Sequence, residues 1–378
     1  MSSNAPKGVS SKVFVKRAKN LGLRAESPDS TTPTADRGPV TVNLATSGEA
    51  MQTNETKPWA SATYLERDAL IRLSRNCTSV WTLTVLREWL TIAACMWACE
   101  VWSTPLLWLA GIVLVGSRQH ALGVLVHDAA HRHAHRSKRW NDRLSNYLAA
   151  YPLYFPVQGY RTHHIEHHRL LETPMDPERL TVDAFPREFT FPMPRKRFFA
   201  LLVRDIVGGS IKPFSSLLEY VWAAPEGKAF HVKRIVALHA VIVALAIATG
   251  HLATYLVLWV VPTLTTFLLF FRLRTVAEHS GVCPPEERYS RQVIDPLATT
   301  RTFRGGALAC YLISPYNISY HTEHHLYPSV PGFRLKKLHA LLLSHDDFAK
   351  RVHVTDGLHA LVSELTTRET CATDPVTV

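Results

Sequence analysis

The chain alternates long apolar runs with basic and polar stretches. Two apolar runs, roughly residues 105–126 and 252–271, reach the length of about 20 residues that a bilayer-spanning helix needs. Two shorter runs, roughly residues 89–102 and 235–249, each precede one of these and are separated from it by only a few residues. This spacing predicts two tight helical hairpins. We therefore expect an all-α integral membrane fold with four transmembrane helices.

Lysine and arginine residues flank the outer ends of both predicted hairpins. The connections inside the hairpins, at residues 103–104 and 250–251, carry neither. Because positive charge accumulates on the cytosolic side of short membrane loops, the pattern predicts that both termini and the long middle segment are cytosolic. Long apolar runs also occur in the cores of large soluble proteins, but the basic flanks at every outer end favour a multi-pass membrane protein.

Composition divides the chain into three parts. Residues 1–60 are rich in Ser, Thr, Pro and charge and poor in large apolar residues, which predicts a disordered N-terminal tail. No apolar stretch follows the basic residues at its start, so it does not resemble a secretory signal. We expect residues 61–350 to form the membrane domain and residues 351–378 to form a cytosolic C-terminal tail.

Histidine is the residue type with the most informative pattern. Three clusters occur at residues 127–131 (HDAAH), 164–168 (HIEHH) and 321–325 (HTEHH). Residues three and four apart share one face of a helix, so each cluster presents its imidazoles together. Neutral imidazole binds Fe, Zn, Cu or Ni, and eight rings exceed what one ion takes, so two ions are the simplest stoichiometry. The eight rings belong to His127, His131, His164, His167, His168, His321, His324 and His325.

The predicted topology supports one shared site. The second hairpin lies between the second and third clusters and crosses the membrane twice, so all three clusters are expected at the cytosolic face. His279 follows the fourth apolar run at that face and is a ninth candidate ligand. The scattered cysteines form no CxxC pair, which disfavours a thiolate zinc site or a redox dithiol.

Several polar residues adjoin these candidate ligands. A ligating histidine usually donates its second ring N–H to a carboxylate or carbonyl, so acidic neighbours are candidates for that role. These candidates are Asp128, Glu166, Glu278 and Glu323, together with Asn317, which precedes His321 by four residues.

Other histidines are assigned different roles. His133 and His135 lie off the face set by His127 and His131, and we expect them in a basic stretch that faces lipid headgroups. His120 lies about two helical turns deeper than His127. An ionisable residue at that depth is a candidate to line a substrate channel.

The three clusters and their order around two hairpins resemble the histidine boxes of the membrane fatty-acid desaturase superfamily. The match extends to residues 160–168 (YRTHHIEHH), 277–281 (AEHSG) and 317–331 (NISYHTEHHLYPSVP), and it covers roughly residues 80–345. The resemblance implies four membrane helices under a cytosolic helical cap, which holds a di-iron site with the nine histidines as ligands.

The resemblance also implies a reaction. It indicates an oxidoreductase that uses two iron ions (Fe2+/Fe3+) and O2 to remove hydrogen from unactivated C–H bonds, with desaturation of a fatty-acyl chain as the leading expectation. A hydroxylase, ketolase or acetylenase acting on an acyl, terpenoid or carotenoid substrate has the same boxes. A non-catalytic membrane metal-binding protein or transporter is the remaining alternative, although a transporter would place its ligands near the bilayer midplane.

Electrons are expected from a separate protein. The sequence shows no haem-binding segment, no GxGxxG loop and no iron–sulfur cysteine pattern. We therefore expect a ferredoxin, or a cytochrome with its reductase, as donor. The net charge of +11 would attract either an acidic protein or anionic headgroups. The other expected partners are the membrane and a lipid or acyl-chain substrate, and no nucleic acid is expected.

Overall fold

Helices make up most of the protein. The computed structural model describes residues 64–173, 175–223, 227–282 and 295–367, and the predicted helical class is confirmed there. The N-terminal tail predicted at residues 1–60 lies outside the described residues. The helices are α1 (Arg67–Leu73), α2 (Thr78–Trp102), α3 (Pro105–Ala130), α4 (Lys138–Ser145), α5 (Val157–Leu170), α6 (Pro177–Ala184), α7 (Pro186–Phe189), α8 (Arg195–Ile206), α9 (Ile211–Ala223), α10 (Lys228–Ala248), α11 (Leu252–Tyr255), α12 (Val261–Leu264), α13 (Thr266–His279), α14 (Pro296–Thr299), α15 (Ala307–Leu312), α16 (His321–Leu326), α17 (Leu335–Leu342), α18 (Asp346–Arg351) and α19 (Gly357–Leu365).

Short elements of other kinds connect these helices. Wider π-helical turns at Asn146–Ala150 and Leu256–Val260 continue α4 and join α11 to α12. Tight 3₁₀ turns occur at Tyr151–Leu153, Pro315–Asn317 and Gly332–Arg334. The strands within the described residues are β1 (Met193–Pro194), β2 (Thr302–Arg304), β3 (Val354–Asp356) and β4 (Thr366–Thr367), which pair in parallel as β1 with β4 and β2 with β3.

Three helical runs in the described part of the chain are long and apolar enough to cross a membrane. They are α3 with 26 residues, α10 with 21, and the 28-residue run Leu252–His279 that comprises α11 to α13. The first predicted apolar run lies in α2, which has 25 residues but is not one of the three. That helix carries the charged residues Arg87, Glu88 and Glu100.

The long helices expose large apolar side chains. Leu83 on α2 is 66% exposed, Leu106 on α3 is 78% exposed and Val236 on α10 is 61% exposed. Large apolar side chains exposed along long helices are unfavourable in water and point to a protein or membrane contact. Together with the three candidate spans, this exposure indicates that the protein associates with a membrane.

Turn chemistry sets the two tight connections between long helices. Ser103 ends α2 with a left-handed φ of 34°, and the Thr104 hydroxyl then accepts a hydrogen bond from the Leu107 amide at 3.3 Å. Pro105 at the first position of α3 has no amide hydrogen to leave unpaired. Gly250, with a φ of 78°, follows α10. Positive φ favours glycine because it lacks a Cβ atom.

Close helix packing positions the end of α3. Gly116 on α3 faces α13, where a Cβ atom at this position would lie 2.0 Å from the Thr266 hydroxyl oxygen. Gly159 on α5 similarly faces the Val221 carbonyl of α9, at 2.1 Å from a Cβ in its place. Only glycine permits these approaches. They place α3 against α13 and α5 against α9, and α3, α5 and α13 all carry candidate ligands.

The predicted C-terminal tail is partly wrong. Within residues 351–367, β3 pairs with β2, β4 pairs with β1, and α19 lies between them. Leu361 and Leu365 pack with Phe303 and Val276 in a buried apolar cluster. The chain to residue 367 is therefore part of the fold, because these apolar side chains are buried by elements more than 50 residues away.

Candidate metal centre

Four helices deliver the predicted histidines to one region. His127 lies in the last turn of α3, with His131 at its C-terminal cap, and His279 is the last residue of α13. The second cluster lies on α5 and the third on α16. All nine predicted histidines are brought together, although they come from segments up to nearly 200 residues apart.

The nine imidazoles form two groups. Within each group, one nitrogen from each ring lies within 4.8 Å of the corresponding nitrogen of every other ring. The groups adjoin, since the ring centroids of His168 and His325 are 4.2 Å apart. The five-histidine group contains His127, His131, His164, His168 and His324, and the four-histidine group contains His167, His279, His321 and His325.

The distances between ring nitrogens fit metal ligands better than hydrogen bonds. His168 Nε2 lies 3.1 Å from His164 Nε2 and 3.0 Å from His324 Nε2. One ring nitrogen either donates one hydrogen or accepts one, so it cannot satisfy both contacts. Two ligands at right angles on one ion, each about 2.1 Å from it, lie about 3.0 Å apart. These contacts are therefore compatible with a shared cation.

The four-histidine group has the same arrangement. His321 Nε2 lies 2.8 Å from His279 Nε2 and 3.0 Å from His325 Nε2. Several ring nitrogens in the two groups, including His131 Nε2 and His167 Nε2, are buried without a hydrogen-bond partner. Buried polar atoms without partners are unusual in folded proteins, and a bound metal would satisfy them.

Burial keeps most of these imidazoles neutral. It lowers the pKa of His164, His324 and His325 well below the usual range, and neighbouring histidines lower it further. Neutral imidazole is the form that binds metal. Burial acts in the same direction on His167, but the carboxylates of Asp176 and Glu178 outweigh it and raise the pKa of His167 to about 9.

Three carboxylates face the outer nitrogens of the clustered rings. Asp128 Oδ1 lies 3.6 Å from His127 Nδ1, and Glu278 Oε1 lies 3.6 Å from His321 Nδ1. Both acids are among the candidates predicted from the sequence. Asp176, which the sequence did not suggest, lies 2.9 Å from His167 Nδ1. At 2.9 Å, Asp176 is a hydrogen-bond acceptor that fixes the orientation of the His167 ring. The 3.6 Å contacts of Asp128 and Glu278 are too long for hydrogen bonds and leave His127 Nδ1 and His321 Nδ1 without a hydrogen-bond partner.

The other predicted polar neighbours have different contacts. The Glu166 carboxylate accepts a hydrogen bond from the Tyr220 hydroxyl. Glu323 lies 2.5 Å from His339 Nδ1 and accepts a hydrogen bond from the Thr302 hydroxyl at 2.7 Å. The Glu166 carboxylate therefore links α5 to α9, and the Glu323 carboxylate links α16 to α17 and β2.

Asn317 ends a 3₁₀ turn with a left-handed φ of 61°. Its carbonyl accepts a hydrogen bond from the Tyr320 amide at 3.0 Å, just before α16 begins. The described hydrogen bonds include none from its side chain. Its position in the structure therefore supports a role in the turn that precedes the third histidine cluster.

Asp176 was missed because it lies beyond the second cluster on a separate element. Its side chain caps α6 by accepting from the Glu178 amide at 2.9 Å, and Pro177 is the first residue of the helix. An Asp–Pro pair at the start of a helix was a readable signal for that cap. The contact with His167 was not readable, since it depends on how the chain turns back after α5.

Of two other histidines, one lies where the sequence predicted and one does not. His133, expected to face headgroups, is only 7% exposed, and its ring centroid lies 5.9 Å from that of His131. That expectation is wrong because the segment after α3 turns back into the fold, where Asn141 accepts from the Ala134 amide. His120 is buried and lines a cavity, as expected for a channel position.

Arg161 connects the first two histidine clusters. It donates to the carbonyls of Ala129 and Ala130 at the end of α3, at 3.0 and 2.9 Å. Its guanidinium also pairs with Asp142 on α4 at 2.7 Å. Arg132 pairs with the same carboxylate at 2.7 Å. These charge-assisted bonds fix the end of α3 relative to α5.

A cavity leads to the four-histidine group. Its wall near that group includes His167, Glu178 and His279. An adjoining apolar cavity shares the wall residues Tyr160 and Phe271 with it. The apolar cavity is further lined by Phe155, Leu217, Leu218, Val221 and Phe267. The four-histidine group therefore borders a cavity whose wall is partly shared with a more apolar one.

The chain belongs to the fatty acid desaturase family. The family model "Fatty acid desaturase" matches residues 66–355, which include both histidine groups and all three candidate spans. Membership establishes an oxidoreductase of the desaturase and oxygenase type.

Three curated relatives agree with this assignment. The chain is 28% identical to a dihydrorhizobitoxine desaturase from Bradyrhizobium elkanii, over 72% of this chain and 78% of the relative. It is 27% identical to an sn-1 oleoyl-lipid 12-desaturase from a Picosynechococcus strain, over 72% and 81%. It is 25% identical to a sphingolipid delta(4)-desaturase/C4-monooxygenase from Rattus norvegicus, over 67% and 70%.

Proposed function

We propose that this protein is an integral-membrane di-iron oxygenase that introduces a double bond into an acyl chain or a related hydrocarbon chain. The observation that carries the proposal is the pair of adjoining histidine groups, of which the four-histidine group borders a cavity that shares wall residues with a more apolar one. Family membership supports oxidoreductase chemistry rather than metal transport or storage.

The proposed ligands are the nine clustered histidines. Imidazole binds iron, zinc, copper and nickel, but removal of hydrogen from an unactivated C–H bond needs a redox-active metal. Bound iron would supply that chemistry together with O2. For each double bond formed, the chain loses two hydrogens, and O2 with two electrons and two further protons becomes two water molecules.

The described residues would hold and orient the substrate. Phe155, Val221 and Phe267 would surround the apolar chain, and Tyr160 lies where the two cavities meet. Burial of a hydrocarbon chain against such side chains favours binding by about 25 cal/mol per Å² of apolar area. The lining also keeps water away from the reacting carbons.

We further propose four spans, formed by α2, α3, α10 and the run Leu252–His279. The second and fourth of these both lead from a tight connection to a histidine of the site. Two hairpins of this kind place their histidines at one membrane face. The basic flanks of the hairpins favour the cytosolic face, and with it cytosolic termini.

Electrons would come from a separate one-electron carrier, either a ferredoxin or a cytochrome with its reductase. The basic character of the chain supports attraction of an acidic partner at the cytosolic face. Such attraction weakens as salt increases, since exposed charges are screened over about 10 Å at 0.1 M ionic strength.

Oxygen insertion is the second candidate reaction. The name of the rat relative includes both a desaturase and a C4-monooxygenase activity. Loss of a second hydrogen would give an alkene, whereas transfer of oxygen to the carbon would give an alcohol. Expression in a host of defined lipid composition under ¹⁸O₂, with mass spectrometry of the lipids, separates them. Desaturation gives a product 2 Da lighter without label, whereas hydroxylation gives a product that retains one ¹⁸O atom.

An inactive variant makes this experiment decisive. H324A removes a ring of the five-histidine group and serves as the control for host enzymes. New unsaturated species in the wild type but not in H324A support the proposal. Labelled alcohols alone would support the monooxygenase, and identical lipid profiles would argue against both reactions on the host's lipids.

A further inference from the structure

The two histidine groups differ in the number of rings they offer. One contains five imidazoles and the other contains four. If each holds an iron ion, as the proposed function requires, the four-histidine group has one fewer protein donor. A further side chain near its metal-facing nitrogens would make the two sites equal in donor number.

Carboxylates near the site face two different edges of the rings. Asp128, Asp176 and Glu278 lie beside Nδ1 atoms, on the side of the ring away from the group. Glu178 is different, because its Oε2 lies 3.7 Å from His167 Nε2. Since Asp176 occupies the Nδ1 of His167, the Nε2 is the nitrogen that this ring presents to the four-histidine group.

The Glu178 carboxylate faces two histidine rings. His167 Nε2 is buried without a hydrogen bond, and the second oxygen of Glu178 lies 3.9 Å from His164 Nδ1. In the part of the chain that the structure describes, the Glu178 carboxylate makes no hydrogen bond and no other ion pair. Its charge also acts on Arg274, and a cation bound at His167 Nε2 would lie beside this carboxylate.

Local structure fixes the backbone of Glu178 at the edge of the cavity. Asp176 accepts from the Glu178 amide at 2.9 Å, and Pro177 begins α6, so the backbone position is well determined. The side chain borders the cavity with His167 and His279.

We propose that the Glu178 carboxylate is a protein ligand of the metal ion in the four-histidine group. It would give that site five protein donors, four nitrogens and one oxygen, against five nitrogens in the other. A carboxylate is an anionic oxygen donor and would make the two irons chemically different. This inference rests on the proposed di-iron function.

The experiment uses full-length protein purified in detergent and loaded with ⁵⁷Fe(II) without oxygen. The variants are E178A, which removes the donor, and E178Q, which keeps the shape and removes the charge. D183N is the matched control, since Asp183 lies on the same helix and pairs with Arg179 at 3.2 Å. Iron content, iron affinity and Mössbauer spectra are measured, and size-exclusion profiles report folding.

We expect two iron environments in the wild type and in D183N. In E178A and E178Q, one environment should change or be lost, with iron affinity there reduced at least about 10-fold. H325A identifies the signal of the four-histidine group, and H131A identifies the signal of the five-histidine group. The affected signal should be the one that H325A removes.

The outcomes separate this inference from the proposed function. If E178A and E178Q bind two irons with unchanged affinity and spectra, Glu178 is not a ligand, and the di-iron proposal stands. If only the five-histidine signal changes, Glu178 acts through His164 and the inference is overturned. If the folded wild type binds no iron, the proposed function itself fails.

Discussion

The histidines of this site have two different electrostatic environments. The clustered rings must stay neutral to bind a metal, and burial achieves this for His164, His324 and His325 by lowering their pKa values. His167 differs because it has acidic neighbours, and the Asp176 carboxylate orients its ring through Nδ1 at 2.9 Å. Metal binding would then displace the proton from its other nitrogen.

H324A tests ligand assignment at the residue scale. The His324 ring nitrogen lies 3.0 Å from that of His168 in the five-histidine group, so its removal should lower bound iron by about one ion per chain and abolish turnover. H359A is the control, because His359 lies exposed on α19. Full iron content in H324A, measured by plasma mass spectrometry, would show that this ring is not a ligand.

D176N tests the support of a ligand. The amide keeps an oxygen that can cap α6, but it removes the negative charge beside His167. We expect iron affinity at the four-histidine group to fall about 10- to 100-fold, while the fold persists. Competition with a chelator measures the affinity. An affinity equal to that of the wild type would show that the contact only stabilises the helix.

Helix packing controls the site at the scale of elements. The five-histidine group needs the end of α3, the second half of α5 and the last turn of α16 in fixed relation. Arg161 and Asp142 join α5 to the end of α3 and to α4. Gly116 brings α3 against α13, the helix that ends in His279.

G116A and G123A form a matched pair on α3. A Cβ at Gly116 would lie 2.0 Å from the Thr266 hydroxyl oxygen and 2.8 Å from the Phe267 amide nitrogen. At Gly123, the nearest atom would be a Leu153 methyl carbon at 3.9 Å. We expect G116A to lose about 1–3 kcal/mol of stability in detergent and G123A to lose much less. Equal thermal stability of the two variants would contradict the close approach of α3 and α13.

D142N tests the pH dependence of the link between α4 and α5. Burial would raise the pKa of Asp142, but hydrogen bonds and charge from Arg161, with help from Asn141 and Arg132, outweigh it and hold the pKa below its usual value. A carboxyl group with a depressed folded-state pKa stabilises the fold above its unfolded pKa of about 3.9. That contribution is lost as pH falls through the folded-state pKa.

The wild type should therefore exceed D142N in stability by about 1–3 kcal/mol at pH 6. The difference should shrink as pH falls below about 4. Unfolding by denaturant, monitored by circular dichroism at several pH values, measures it. A difference that stays constant down to the lowest pH would rule out the ionised pair as its cause.

At the scale of the whole molecule, the nine histidines were predictable and several supporting contacts were not. Spacing of three and four residues along helices identified each cluster, and an even number of crossings between clusters predicted one face. The contacts of Asp176 and Glu178 with histidine rings depend on how the chain turns after α5. The contact of His339 with Glu323 joins α17 to α16. Sequence periodicity carries no information on such tertiary contacts.

Membrane elements were predictable to a similar degree. The apolar runs that became α3, α10 and Leu252–His279 were apparent from hydropathy. The run within α2 fits a span less well because its helix also carries Glu88, which pairs with the buried Arg118 at 3.0 Å. The C-terminal strands were missed, since two- and three-residue strands show no periodicity.

The central claim is that the two histidine groups hold two iron ions side by side. Anomalous X-ray diffraction at the iron absorption edge, from crystals of the iron-loaded protein, tests it most directly. We predict two anomalous peaks in each molecule, one among the five imidazoles and one among the four. A single peak, no peak, or iron bound away from these rings would contradict the account.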